Sequence, residues 1–158
     1  MTHNVGISDL KVSNDPGDDI KTHSLGSCVG VTMYDPAVSV GGMLHYQLPS
    51  AREHSEKAAT NPYMFGDTGI TELMKEVFER GADKRRLVVK LAGGSNVADK
   101  NGFFNIGKRN LIIAKKFLWK NGLLITGEDV GGETWRNLKL ELGSGRVSIK
   151  SGDGEFDI

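Results

Sequence analysis

The chain has 158 residues, enough for one domain with its own core and short for two, so 1–158 is expected to be a single unit. Twenty Lys and Arg balance twenty Asp and Glu, which argues against a nucleic-acid or anionic-membrane protein, and aromatic residues are sparse at 7%. A single cysteine, Cys28, excludes an internal disulfide; with no basic, apolar leader and no bilayer-length apolar run, the chain reads as cytoplasmic and not membrane-inserted.

In chain order, Val5 to Val12 alternates apolar and polar residues and reads as a first strand, with a slip near Asp9. Residues 14–19 are turn formers. Val29 to Tyr34 and Val40 to Tyr46 read as two strands around a turn at Asp35-Pro36-Ala37-Val38, ended by Leu48-Pro49. Ser50 to Gly66 is polar and irregular. Ile70, Leu73, Met74, Val77 and Phe78 form one apolar stripe, predicting a helix over 68–80 capped by Asp67 and Gly81.

Leu87 to Ala92 suits a buried strand, followed by the loop Gly93-Gly94-Ser95-Asn96. A second helix is predicted over 106–120, with Asn105 as cap. Leu123 to Thr126, Arg136 to Leu142 and Val147 to Lys150 read as strands, the last two joined by Gly143-Ser144-Gly145. The acidic tail 151–158 is expected to be loose. Strands outnumber helices, which predicts an α/β or α+β layered sandwich with a mixed, largely antiparallel sheet and helices packed on it.

The sharpest chemical inference comes from the hairpin. If residues 35–38 form a four-residue turn, paired residues sum to 73, which sets Cys28 opposite His45 with Cβ atoms about 4.5–5.5 Å apart. An imidazole beside the thiol would lower the cysteine pKa and act as general base to a nucleophile. A one-residue change in the turn, or a bulge at Gly41-Gly42, would turn His45 to the other face. Gly26 and Ser27 allow close approach of a substrate and offer backbone N–H groups to an oxyanion. Thr22 lies six residues before Cys28, an even spacing that in extended chain lets its hydroxyl orient His45.

Bland readings stand beside these. A lone cysteine on a strand is more often core, and a histidine opposite it more often a satisfied polar neighbour. A metal site from Cys28, His45 and His23 or His54 lacks any short ligand-pair spacing, and His3 reads as solvated. The loop at 93–96 meets neither the P-loop nor the dinucleotide fingerprint, and reads as a turn, as does Gly131-Gly132. Lys115, Lys116 and Lys120 read as the solvated face of the second helix.

The run Thr22-His23-Ser24-Leu25-Gly26-Ser27-Cys28-Val29, then Tyr34-Asp35-Pro36, Gly41-Gly42-Met43-Leu44-His45 and Leu48-Pro49, resembles the CheD family of chemoreceptor glutamine deamidases. Gly81-Ala82, Lys90, Gly93-Gly94, Ile106-Gly107, Arg109-Asn110 and Gly131-Gly132 extend the resemblance over nearly the whole chain. It implies a sandwich related to bacterial deamidase toxins, with Cys28 as nucleophile, His45 as general base and Thr22 as third member. It also implies hydrolysis of receptor glutamines to glutamate with no cofactor or metal. The implied partners are the cytoplasmic domain of methyl-accepting chemotaxis receptors and, more weakly, a CheC-type phosphatase. Two departures stand out: Glu133-Thr134-Trp135 follows the late glycine pair where the family often has Gly-Arg, and Gly30 replaces a common alanine. Two other readings compete: a non-catalytic binding module for the receptor or a phosphatase, and a cysteine hydrolase or transglutaminase with another substrate.

Overall fold

The structure, a computed structural model, describes residues 1–97 and 104–158. Among the described residues, ten strands run in chain order as β1 (Thr2–Val5), β2 (Asp9–Ser13), β3 (Asp19–Leu25), β4 (Val29–Asp35), β5 (Val40–Tyr46), β6 (Val88–Gly93), β7 (Ile125–Val130), β8 (Arg136–Glu141), β9 (Val147–Ser151) and β10 (Gly154–Asp157). The helices are α1 (Ser55–Thr60), α2 (Gly66–Glu79) and α3 (Ile106–Lys120). The strands divide into two five-stranded sheets, ordered β1-β3-β8-β9-β10 and β2-β5-β4-β6-β7. The β1–β3 and β6–β7 pairs are parallel and the others antiparallel.

Alternation along the strands explains the layering. In β4 and β5, Val29, Val31, Met33, Leu44 and Tyr46 join a core with Ile70, Leu73 and Val77 of α2 and Ala114 and Leu118 of α3. Tyr34 and Met43 instead meet Ile20, Leu138, Leu140 and Ile149 of the other sheet. The result is an α+β arrangement of sheet, sheet and helices, with the second sheet buried on both faces.

Several local expectations are corrected. The predicted first strand is two, one in each sheet: the chain crosses over at residues 6–8, where Ser8 takes φ 57° and the Gly6 N–H donates to Asp9 Oδ2 at 3.1 Å. Ile7, expected inward by alternation, is therefore 63% exposed. The irregular stretch after Ser50 contains α1. The tail, expected loose, contains β10, paired antiparallel with β9.

Helix α2 starts before the predicted cap. Asp67 lies inside its first turn and accepts from Ser50 Oγ at 2.8 Å and from the Ala51 N–H, tying down the preceding loop. Its other end follows expectation, with Gly81 at φ +101° and its N–H on the Phe78 carbonyl. Asn105 occupies the N-cap position of α3, and Lys115, Lys116 and Lys120 are exposed.

His3 is not simply solvated: its Nε2 lies 2.7 Å from Asp18 Oδ2. Asp35 has a structural role. Its buried carboxylate takes the Ala37 and Asp83 N–H groups and an ion pair with Arg86 at 2.8 Å, which together outweigh burial and hold its pKa below the ordinary value.

Candidate functional site

The hairpin register differs from the predicted one by two. Asp35 pairs with Val40, leaving a four-residue loop at 36–39 in which Ser39 takes φ 53°. Pairs therefore sum to 75, and His45 faces Gly30, not Cys28. A shift of two preserves the face, so His45 still points into the space between the sheets. Cys28, two residues before Gly30, is half-buried against the same inter-sheet cluster. It stands just before β4, where the chain bends, one residue beyond the Val29–Tyr46 pair that ends the ladder. A Cβ at Gly30 would come 2.7 Å from Leu138 Cδ2, so here the position is closely packed.

Thr22 reaches His45 by a route the spacing argument did not contain. The chain from Thr22 to Cys28 is not continuously extended: Ser24 takes φ 58°, the β3–β8 register shifts after Thr22, and residues 26–28 bend as the chain crosses between sheets. Thr22 thus belongs to one sheet and His45 to the other. They meet across the interface, with Thr22 Oγ1 2.7 Å from His45 Nδ1 and each residue 1% exposed.

This contact fixes the imidazole tautomer. The Thr22 hydroxyl donates its one proton to the Val5 carbonyl at 2.8 Å, Val5 being its partner in the β1–β3 ladder. It can only accept from His45, so Nδ1 carries a proton and Nε2 carries the lone pair. Nε2 is buried, with no hydrogen-bond partner among the described residues. Burial holds the His45 pKa down at about 4, partly countered by Asp9, its neighbour across the β2–β5 ladder. The thiol departs from the sequence expectation: burial pushes Cys28 up to about 11, offset in part by its own backbone N–H. At neutral pH the two groups are a neutral thiol and a neutral imidazole.

The segment before the thiol is held on three consecutive carbonyls. Gly26 O accepts from the Ser95 N–H at 2.9 Å, Ser27 O from Asn110 Nδ2 at 2.9 Å, and Cys28 O from the Gly94 N–H at 2.8 Å. The 93–96 loop, read from sequence as a turn, is one half of this clamp. Gly93 is required there: at φ +101° any Cβ would lie 2.3 Å from Cys28 O. Trp135, in the departing stretch after Gly131-Gly132, covers Gly26, and a Cβ there would sit 2.8 Å from its ring. Arg136 is buried, paired with Asp129 at 2.8 Å and donating to Gly131 O.

The alternative metal ligands are not assembled: among the described residues no group of three His, Cys, Asp or Glu is placed to hold an ion. His23 is exposed on the outer face of its sheet. His54 stacks on Phe65 at 5.6 Å, in a groove of about 640 Å³ between residues 48–54 and α3. Sequence reasoning missed Asp9 and Asn110 as parts of the site. Asp9 was hidden by the broken first strand, but Asn110 left a signal: a polar residue on the buried stripe Gly107, Asn110, Ala114, Leu118. No helix among the described residues is long and apolar enough to cross a membrane.

Residues 47–151 match the family model described as CheD chemotactic sensory transduction, a span that begins after Cys28 and His45. Relatives align over more of the chain. The protein named "Probable chemoreceptor glutamine deamidase CheD 1" of Syntrophus aciditrophicus (strain SB) is 48% identical over 150 residues, covering 95% of this chain and 94% of its own. The "Probable chemoreceptor glutamine deamidase CheD" of Solibacter usitatus (strain Ellin6076) is 47% identical over 146 residues, 92% of this chain and 86% of its own. A protein of the same name from Pyrococcus horikoshii is 41% identical over 148 residues, 92% and 90% respectively. A solved Neisseria meningitidis structure of family-model DUF152 has TM-score 0.45 at 10% identity, covering 84% of this chain and 62% of that one, a similarity too slight to bear on function.

Proposed function

This chain belongs to the CheD family, and from that premise we propose that it hydrolyses glutamine side chains of chemoreceptors to glutamate, with Cys28 as nucleophile, His45 as general base and Thr22 as the residue that orients the base. The observation that carries this reading is the run from Val5 O through Thr22 to His45 Nδ1, which leaves Nε2 with its lone pair and no partner among the described residues, in the inter-sheet space that the half-buried thiol also borders.

The chemistry follows from two neutral partners. As Sγ attacks the side-chain carbonyl, its proton passes to Nε2, so no thiolate need be stored in the free protein. The Asp9 carboxylate favours the imidazolium so formed. The carbonyl oxygen becomes an oxyanion, for which the bend at Gly26 and Ser27 supplies backbone N–H groups: its three carbonyls are held on the clamp, and the Cys28 N–H lies against its own thiol. The imidazolium returns its proton to the departing nitrogen, and ammonia leaves a thioester. Water then adds to that carbonyl, giving its proton to Nε2. Collapse expels the sulfur, which recovers the proton, and the carboxylic acid so formed loses its own proton to solvent and is released as carboxylate. No cofactor enters the sequence.

One observation favours a second reading. A thiol pushed up to about 11 by burial is also what an inert core cysteine shows, as in a module that only binds the receptor or a CheC-type phosphatase. Intact-mass measurement of a purified receptor cytoplasmic domain, incubated with this protein or its Cys28→Ala variant, separates the two. The expected result is a gain of about 1 Da per site that requires Cys28. No gain on a cognate receptor that is tightly bound overturns the catalytic reading, and incorporation of an added amine shifts it to transamidation.

A further inference from the structure

We infer that Asn110 is a positioning residue for the reaction, a tether on α3 that fixes the nucleophile's segment against the end of the strand carrying the base; this rests on the catalytic reading of Cys28 and His45. Asn110 is fully buried. Its Nδ2 donates to Ser27 O, the carbonyl just before Cys28, and to Gln47 O, two residues past His45, each at 2.9 Å. Both amide protons are thus used, one on each side of the site. The orientation is unambiguous, because a flipped amide would set Oδ1 against two carbonyls. Oδ1 itself is buried without a partner among the described residues. A polar group kept at that cost is there for what its other end holds.

The helix that carries Asn110 is itself fixed to both sides of the site. Tyr46, next to His45, donates its hydroxyl to the Asn110 carbonyl at 2.6 Å. Gly107, one turn earlier, brings α3 against the 94–95 loop, whose N–H groups hold Gly26 O and Cys28 O. Among the described residues that donate to the 26–28 carbonyls, Asn110 alone also holds the chain just past the strand that carries His45. It is the side chain that sets the separation of thiol and imidazole, which the β4–β5 ladder, ending at Val29, leaves undetermined.

The test compares wild type with Asn110→Ala and Asn110→Ser, each first confirmed folded by its melting transition, in receptor-domain deamidation and in alkylation of Cys28 by iodoacetamide as a function of pH. The expected result is a kcat lowered at least tenfold in Asn110→Ala with KM within twofold, partial recovery in Asn110→Ser, and an alkylation profile moved onto that of His45→Ala. A folded variant with wild-type kcat and profile, or one changed only in melting temperature or KM, overturns the tether. If Asn110→Ala does not fold, Asn110→Ser with its single donor decides by the same criteria. The alkylation arm needs no receptor: if wild type shows no deamidation, the catalytic reading fails by itself. An Asn110→Ser profile that coincides with wild type while His45→Ala differs from both rejects the tether independently, whereas coincidence of wild type and His45→Ala rejects the pairing of thiol and imidazole.

Discussion

At Thr22, one hydroxyl proton has two claimants, the Val5 carbonyl and His45 Nδ1. A carbonyl can only accept, so the proton goes to Val5 and the imidazole must donate. Thr22→Val keeps the shape and removes both bonds, stranding a buried N–H and a buried carbonyl at a cost of about 1–3 kcal/mol each. It also frees the imidazole to adopt the tautomer in which Nε2 is protonated and useless as a base. Thr22→Val is therefore expected to lose about 10²-fold in kcat, whereas Thr22→Ser, which keeps the hydroxyl, stays within a few-fold of wild type. Steady-state kinetics on a receptor domain decide it. A Thr22→Val enzyme as fast as wild type, or a Thr22→Ser enzyme as slow as Thr22→Val, contradicts the tautomer argument. At this scale the sequence was informative about which residues meet and silent on how. Thr22 and His45 do touch, but across two sheets, through a bend at 26–28 that no spacing rule describes.

Among the elements, α3 shows most clearly where local propensity yields to packing. Replacing a helical glycine by alanine ordinarily gains about 1 kcal/mol. At Gly107 the added Cβ would lie 2.3 Å from Ser95 O and 2.6 Å from Gly94 O, both backbone atoms of the loop that clamps Cys28. Displacing the helix or the loop costs about 1–3 kcal/mol, enough to cancel that gain and in most of this range to reverse it. Gly107→Ala is expected to destabilise the fold by up to about 2 kcal/mol in urea unfolding and to lower kcat in the fraction that remains folded. A stabilised Gly107→Ala protein would show that α3 does not bear on the loop. The bounds of α3 were legible because its buried stripe keeps the helical period. The hairpin register was not, because it depends on loop 36–39, where Asp35 gathers the Ala37 N–H, the Asp83 N–H and Arg86 from distant parts of the chain. The inward direction of His45 survived that error only because the shift was two residues and not one.

For the whole molecule, the two sheets explain both what the sequence revealed and what it hid. Alternation identifies strands and their buried faces, but nothing local says that the chain changes sheet at 6–8, 14–18, 26–28 and 131–135, and the site lies at the 26–28 crossing. That position takes two titratable groups out of water, and so ties folding to pH. His45 is held at about 4 against 6.5 when exposed, so between those values the unfolded chain binds a proton that the folded one does not. Stability from this group is complete above pH 6.5 and is lost as pH falls toward 4, at up to about 1.4 kcal/mol per pH unit. Cys28 acts at the other end. Its thiol is raised from 9.0 to about 11, so its contribution is complete below pH 9 and is lost as pH rises toward 11. Asp18 and Asp35, both held below their ordinary value of 3.8, add losses only in stronger acid. Urea unfolding across pH 4.5 to 10.5 is therefore expected to give a plateau between about 6.5 and 9 with a shoulder on each side. His45→Asn should flatten the acid shoulder alone, and Cys28→Ala the part of the alkaline one below pH 10, above which Tyr46 and Tyr63, both raised by burial, add their own loss. A wild-type acid shoulder that persists unchanged in His45→Asn would mean that the imidazole titrates as freely in the folded protein as in water, and with it would go the neutral, tautomer-fixed base on which the mechanism depends.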